Sequence, residues 1–423
     1  MVKNRHKNAA ILWFTVVLLL CLSITVYSQP LRRLQPKGTY GKPNIILFAA
    51  EDFTSADLEI VLKEKDEFKN INKVATEGLF FSRVYSPDSN AKQNRAALLT
   101  GVHTIRKPLT ESGDLSPQFQ TLPQLLKSAD YKTGILGKWA LGIDPTRKGF
   151  DQWFGYLTDN EATNHYPPYL WRNDKKWELA ENSGGQQITL AQNWFLRTTT
   201  NFIRVYREYP FFLYLPSNLP GKTLNLSGTN TNRALTAETS VTNNRKQLLK
   251  LIDEHLGKIF EYLEFYKISD KTILIFTSIQ DMDFSLNNGG NNELSKDFER
   301  LFRAPTFIYG NNCRHGANSS LLYTFDIVPT ILELTDATVP KNIDGLAFTK
   351  SLFNTNNLKE LRDLLVINLE TNKSPYIAIT KQALGNFNSN NWKFVPLDNT
   401  VPDNNAIADL RKKATAELNK YKK

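Results

Sequence analysis

The chain has 423 residues, 41% hydrophobic and 22% charged. That mixture excludes a disordered chain and suits two or three domains, or one large α/β domain with an appendage. The two cysteines, Cys21 and Cys313, exclude a disulfide-built scaffold and a multi-cysteine zinc or iron–sulfur centre, and the balance of 52 Lys and Arg over 42 Asp and Glu permits polyanionic partners without naming one.

In chain order, Lys3, Arg5 and Lys7 form a basic head before an uncharged run from Ala9 to Tyr27, with Leu18, Leu19 and Leu20 near its centre. This pattern predicts a signal peptide over residues 1–28, cleaved after Val26-Tyr27-Ser28; an uncleaved type II anchor is the alternative, because the run is just long enough to span a bilayer. The body is then expected in the secretory-pathway lumen or outside the cell, and at a membrane only if the segment stays. Cleavage removes three basic residues and no acid, leaving a net charge of +7 and Cys313 as a lone thiol. Sequons at Asn225, Asn318 and Asn372 are expected surface glycosylation sites in such a chain.

Residues 29–41 read as a polar linker. The run Asn44-Ile45-Ile46-Leu47-Phe48 has the length and continuity of a buried parallel strand, ending at Glu51-Asp52. Helical spacing follows over residues 56–77, a short β-like piece over 80–85, a helix start at 94–100 closed by Gly101, and a helix over 121–129. Further strands are predicted at 133–136, 211–215, 272–277 and 304–309, and helices at 194–206, 244–266 and 324–334. Strands alternating with helices predict an α/β sheet covered on both faces. Beyond about residue 355, apolar segments at 365–367, 376–379 and 392–395 separated by polar turns predict a small antiparallel sheet. The expected organisation is an α/β domain over 42–355 and a small C-terminal α+β subdomain over 356–423.

Several of these segments resemble, in order, those of one family. Lys42-Pro43-Asn44-Ile45-Ile46-Leu47 with Glu51-Asp52, Tyr85-Ser86-Pro87, Arg95-Ala96-Ala97-Leu98-Leu99-Thr100-Gly101, and Gly134-Ile135-Leu136-Gly137-Lys138-Trp139 with Leu141-Gly142 are similar to sulfatase segments. Gly149-Phe150-Asp151, Phe154-Gly155-Tyr156, the strand at 211–215, Ile275-Phe276-Thr277-Ser278 and Asp326-Ile327-Val328-Pro329-Thr330 continue the likeness. The resemblance covers roughly residues 42–395 and is nearest the arylsulfatase branch. It implies the alkaline-phosphatase-like α/β sandwich, with a large, mostly parallel sheet between helices and a small C-terminal antiparallel sheet.

The chemistry that the resemblance implies does not carry over residue by residue. Sulfatases oxidise the cysteine of Cys-x-Pro-Ser-Arg to formylglycine, whose hydrate attacks sulfur. Aligned on Arg95, that cysteine is Ala91, and the proline and serine are Gln93 and Asn94. A methyl group gives neither aldehyde nor nucleophile, and Cys21 and Cys313 are too far away to substitute. Ser89, two residues away, is the hydroxyl that could reach in as a replacement. The family's two histidines fall on Ala140 and Gly221, and its substrate-clamping lysine falls on Leu294, with Lys296 nearby. The calcium carboxylates correspond to Glu51, Asp52, Ile279 and Gln280. That set is too poor in oxygens for calcium unless Asp281 or Asp283 moves inward.

Arg95 and Lys138 remain, either as an anion-binding pocket or as a structural ion network with Glu51 and Asp52. His103, His165 and His315 lie near matched segments but on no catalytic position. The expectation is therefore a secreted, sulfatase-like pseudoenzyme without a cofactor, binding a sulfated glycan or a protein and no nucleic acid. An active hydrolase with a non-standard nucleophile and a displaced metal is the alternative.

Overall fold

The computed structural model describes residues 41–221, 237–282, 299–310, 312–353, 360–369, 375–388, 391–397 and 404–422. The strand Asn44–Glu51 sets the plan. Its apolar side chains alternate between two cores, Ile45, Leu47 and Ala49 into one and Ile46, Phe48 and Ala50 into the other. Phe211–Pro220 and Thr272–Ile279 flank it in parallel, and Lys132–Lys138 and Gln152–Tyr156 extend the parallel set. The hairpin Tyr169–Arg172 and Lys175–Glu178 continues it antiparallel on one side. On the other side, Thr306–Gly310, Leu79–Phe81 and Gly316–Asn318 complete ten strands.

Helices Ala91–Thr100, Leu122–Lys127 and Ile327–Leu334 cover the first face. Ser55–Lys63, Lys69–Glu77, Ala191–Tyr206 and Ala237–Phe265 cover the second. The sheet is thus the large, mostly parallel one expected. A separate four-stranded antiparallel sheet runs Leu365–Asn368, Tyr376–Ile379, Ala383–Asn388 and Asn391–Pro396.

Three local expectations change. The helix expected over 56–77 is two helices, because Lys63, Glu64, Lys65, Asp66 and Glu67 offer no apolar residue to the core for more than a turn. Phe68, fully buried, then anchors the restart. The edge hairpin was not foreseen, although Asn173-Asp174 between alternating segments is a hairpin signal and Asn173 takes φ of 53°. Strand Ala383–Asn388 was also missed, its Ala-Leu-Gly-Asn-Phe-Asn sequence being a weak strand former.

The C-terminal end carries helix Asn404–Tyr421, with Lys420 exposed. That helix buries Ala414, Leu418 and Tyr421, and the Tyr421 ring stacks on His103 at 4.1 Å.

Candidate functional site

Parallel strands bring their carboxyl ends to one edge of a sheet. Here that edge gathers Glu51 and Asp52, Lys138, Gly221 and the Ile279-Gln280 pair. The chain turns sharply at Asp52, where φ is 55° and the backbone N–H donates to the Ile279 carbonyl at 2.9 Å. Gly221, with φ of 60°, donates its N–H to the Glu51 carbonyl at 2.9 Å. Arg245 ties these turns together, donating to the carbonyls of Asp52 (2.6 Å) and Gly221 and to the carboxylate of Asp57.

Helix Ala91–Thr100 points its N-terminus at this edge. Asn90 caps it by accepting from the Lys92 and Gln93 N–H groups, and left-handed Gly101 ends it. Asn94, 1% exposed, clamps the segment before it. Its amide donates to the carbonyls of Asp88 (2.9 Å) and Gln280 (2.7 Å), and its oxygen accepts from the Asp88 N–H at 3.0 Å.

The charges at the centre satisfy one another. Lys138 Nζ lies 2.9 Å from both oxygens of Glu51 and 2.7 Å from Asp159 Oδ1. An Arg95 terminal nitrogen lies 3.2 Å from Glu51 Oε2, and the other lies 3.9 Å from Asp159 Oδ1. Arg95 and Lys138 are buried and Glu51 is mostly so, while Asp159 is half-exposed at the rim. Two cations thus share two carboxylates. Arg95 nevertheless keeps Nε and one terminal nitrogen buried without a hydrogen-bond acceptor. The Tyr214 hydroxyl nearby is also buried without a partner, and burial pushes its ionisation upward.

The remaining positions offer little reactivity. Ala91, nearly buried, donates its backbone N–H to Asp281 Oδ1 at 3.2 Å. Ser89 is buried, and its hydroxyl donates to the Leu369 carbonyl at 3.0 Å. Ala140 takes φ of 53° and donates its N–H to the Leu157 carbonyl at 3.1 Å. Three histidines are held neutral by burial, His103 down to about 3 and His165 and His255 down to about 4. Nε2 of His103 contacts the Val366 carbonyl at 2.8 Å and that of His255 contacts Thr199 at 3.0 Å, so both are structural. His165 Nε2 is buried without a partner, and His315 is exposed.

A family model for sulfatases matches residues 43–337. The chain belongs to the sulfatase family. Human N-acetylgalactosamine-6-sulfatase is 29% identical over 358 residues, covering 74% of this chain and 66% of that protein, so the chain spans just under two thirds of that relative. Arylsulfatase G of Canis lupus familiaris is 26% identical, covering 80% and 73%. Among solved structures, Ps i-CgsB in complex with k-i-k-neocarrahexaose superposes with a TM-score of 0.70 at 22% identity, covering 90% of this chain and 93% of the other. A protein in complex with its substrate D-glucosamine-2-N,6-O-disulfate superposes with a TM-score of 0.71 at 18% identity, covering 90% and 98%. At these identities the two structures establish the shared fold.

The calcium that a sulfatase resemblance implies can be tested on this donor set. Both Glu51 oxygens face the Lys138 ammonium, and Asp52 Oδ1 accepts from the Asp281 N–H at 2.7 Å. Ile279 brings no donor. Gln280 turns its NH₂ inward to the Phe53 carbonyl (3.0 Å), the Ser278 hydroxyl (3.0 Å) and the Arg303 carbonyl (2.9 Å). No group of three or more His, Cys, Asp or Glu suited to a metal occurs among the described residues. Calcium needs six to eight oxygens, and these residues do not fit it.

Leu294, Lys296, Asp283, Asn225, Asn372 and the N-terminal segment lie outside the described residues. No helix among the described residues is long and apolar enough to cross a membrane. Asn318, expected on the surface, is only 8% exposed, and its side-chain oxygen accepts from the Ser320 N–H at 2.8 Å. Sequence reasoning missed Asp159 and Arg245. Asp159 follows strand Gln152–Tyr156 by three residues, so its place at a strand's carboxyl edge was the available signal. Arg245 had none, since it comes from a helix distant in sequence.

Proposed function

We propose that this sulfatase-family protein hydrolyses no sulfuric ester and acts by binding, with a sulfated glycan as the ligand, in the secretory pathway or outside the cell. The observation that supports this most is the ion cluster around Glu51. A glutamate at the strand end reaches one methylene further than an aspartate, and its carboxylate lies against the two cations that a sulfate would otherwise engage. Ala91 supplies no nucleophile beside them, and Ala140 and Gly221 supply no acid or base. The Ser89 hydroxyl is committed to a backbone carbonyl, which weighs against the alternative hydrolase. The glycan class is supported by the basic balance of the chain and by the sugar ligands of the two superposing structures.

The test is an assay of the purified protein on an aryl sulfate, beside binding to sulfated and desulfated glycans. We expect no turnover above a heat-treated control and retention by the sulfated glycan alone. Turnover that disappears in Lys138→Ala overturns the proposal. Equal retention by both glycans, or capture by neither, overturns its ligand class.

A further inference from the structure

Beside the start of strand Gln152–Tyr156 lies a cavity of about 260 Å³ whose lining includes neither Glu51, Arg95, Lys138 nor Asp159. Its walls are the edge hairpin, the start of that strand and helix Ala191–Tyr206. Two indoles meet edge-on within it, Trp177 and Trp194, with ring centroids 6.3 Å apart. Arg172 lies 5.2 Å from the Trp177 centroid and Arg197 5.2 Å from that of Trp194. Both arginines are exposed, and neither forms an ion pair with a carboxylate of the described residues. Asn173 and Gln152 add polar groups to the wall.

Two details point to a ligand. Trp194 Nε1–H is buried without an acceptor, although a buried indole N–H ordinarily finds one. Trp177 is 39% exposed and lines the cavity with the Arg172 guanidinium against its ring, leaving an aromatic surface for a ligand to cover.

We propose that this cavity binds a single acidic sugar unit. Its sulfate or carboxylate lies between Arg172 and Arg197, its ring lies along Trp177, and a ring or sulfate oxygen accepts from Trp194. Each element of the cavity selects one property. The volume lies just under the roughly 300–1,000 Å³ of drug-sized ligand sites and suits one ring. The two exposed guanidinium groups select an anion that presents two oxygens to a planar fork. The indole surfaces, already held by their cation contacts, select a ligand with an apolar face. The orphaned N–H requires an acceptor and rejects a wholly apolar guest.

This proposal rests on the binding reading above and assigns it a place outside the old active site. The experiment titrates the full chain with glucose 6-sulfate, glucuronic acid, glucose and inorganic sulfate, read by tryptophan fluorescence and calorimetry. We expect at least one acidic sugar to bind and quench fluorescence, and glucose and sulfate to bind at least tenfold more weakly. Arg172→Ala with Arg197→Ala, and separately Trp177→Ala, should each weaken binding roughly tenfold. These pocket side chains are exposed, and circular dichroism of each variant checks its fold.

Sulfate alone binding as tightly as the sugar sulfate, no acidic sugar binding, or binding indifferent to the pocket variants each overturns the proposal. Discovery of aryl-sulfate turnover overturns the pseudoenzyme reading and leaves this titration standing, so the two failures are distinguishable.

Discussion

At Glu51 one methylene group changes what the site is. The side chain reaches Lys138 and Arg95 together, and each partner is nearly excluded from water. Removing one member of a buried charge cluster leaves the others uncompensated, which costs on the order of 3–5 kcal/mol. Glu51→Ala is therefore expected to lower unfolding free energy by about that amount in urea titrations, with Glu51→Asp intermediate because its shorter arm loses contact with the ammonium. A loss below about 1 kcal/mol would mean that water already serves these cations.

A second prediction concerns Ala91. Ala91→Cys, expressed with a formylglycine-generating enzyme, is expected to keep a free thiol by mass spectrometry, because Gln93 stands where the resemblance requires proline. It is also expected to show no aryl-sulfate turnover, because no imidazole is present at Ala140 or Gly221. Recovery of turnover would show that the other positions had kept their competence.

Two elements carry the site's geometry through contacts far apart in sequence. Helix Ala91–Thr100 is fixed by Asn94, whose three hydrogen bonds join it to Asp88 and to the strand end at Gln280. Asn94→Ala leaves buried backbone groups unpaired and is expected to cost roughly 2–4 kcal/mol by chemical denaturation. The small sheet is held by Arg362, which pairs with fully buried Asp326 and donates to the Asp344 carbonyl at 3.2 Å. Burial raises the Asp326 ionisation while the adjacent guanidinium opposes it. Asp326→Ala strands that guanidinium and is expected to destabilise by on the order of 3–5 kcal/mol. Limited proteolysis should then cut first within residues 354–423. Cleavage elsewhere first would show that the pair is not what secures the sheet.

For the molecule as a whole, the buried histidines set an acid limit. His103, His165 and His255 bind protons only near pH 3–4 when folded, against about 6.5 when unfolded. Between these values the unfolded chain holds more protons, so stability rises with pH there and is fully present above about 6.5. Thermal melts are expected to be flat from pH 8 to about 7 and to fall steadily toward pH 4. His103→Asn should flatten part of that fall. A melting temperature unchanged between pH 7 and 5 would contradict the assignment.

Much of the fold was legible because its signals are local. Continuous apolar runs at 44–48, 211–215 and 272–277 announced a buried parallel sheet, since both faces of such strands are covered. The chemistry of position 91 was equally legible, because an alanine has no reactive atom wherever it sits. What local pattern does not encode is which charges meet. Glu51, Arg95, Lys138 and Asp159 come from two strand ends, a helix and a turn, and only their packing in space decided that they neutralise one another. The same holds for Trp177 and Trp194, which look like ordinary core aromatics until an edge hairpin and a helix bring them to one cavity. The sequence by itself determined the family and an unreactive alanine at position 91; the tertiary structure decided how Arg95 and Lys138 are paired, because ion pairing depends on distance through space and not along the chain.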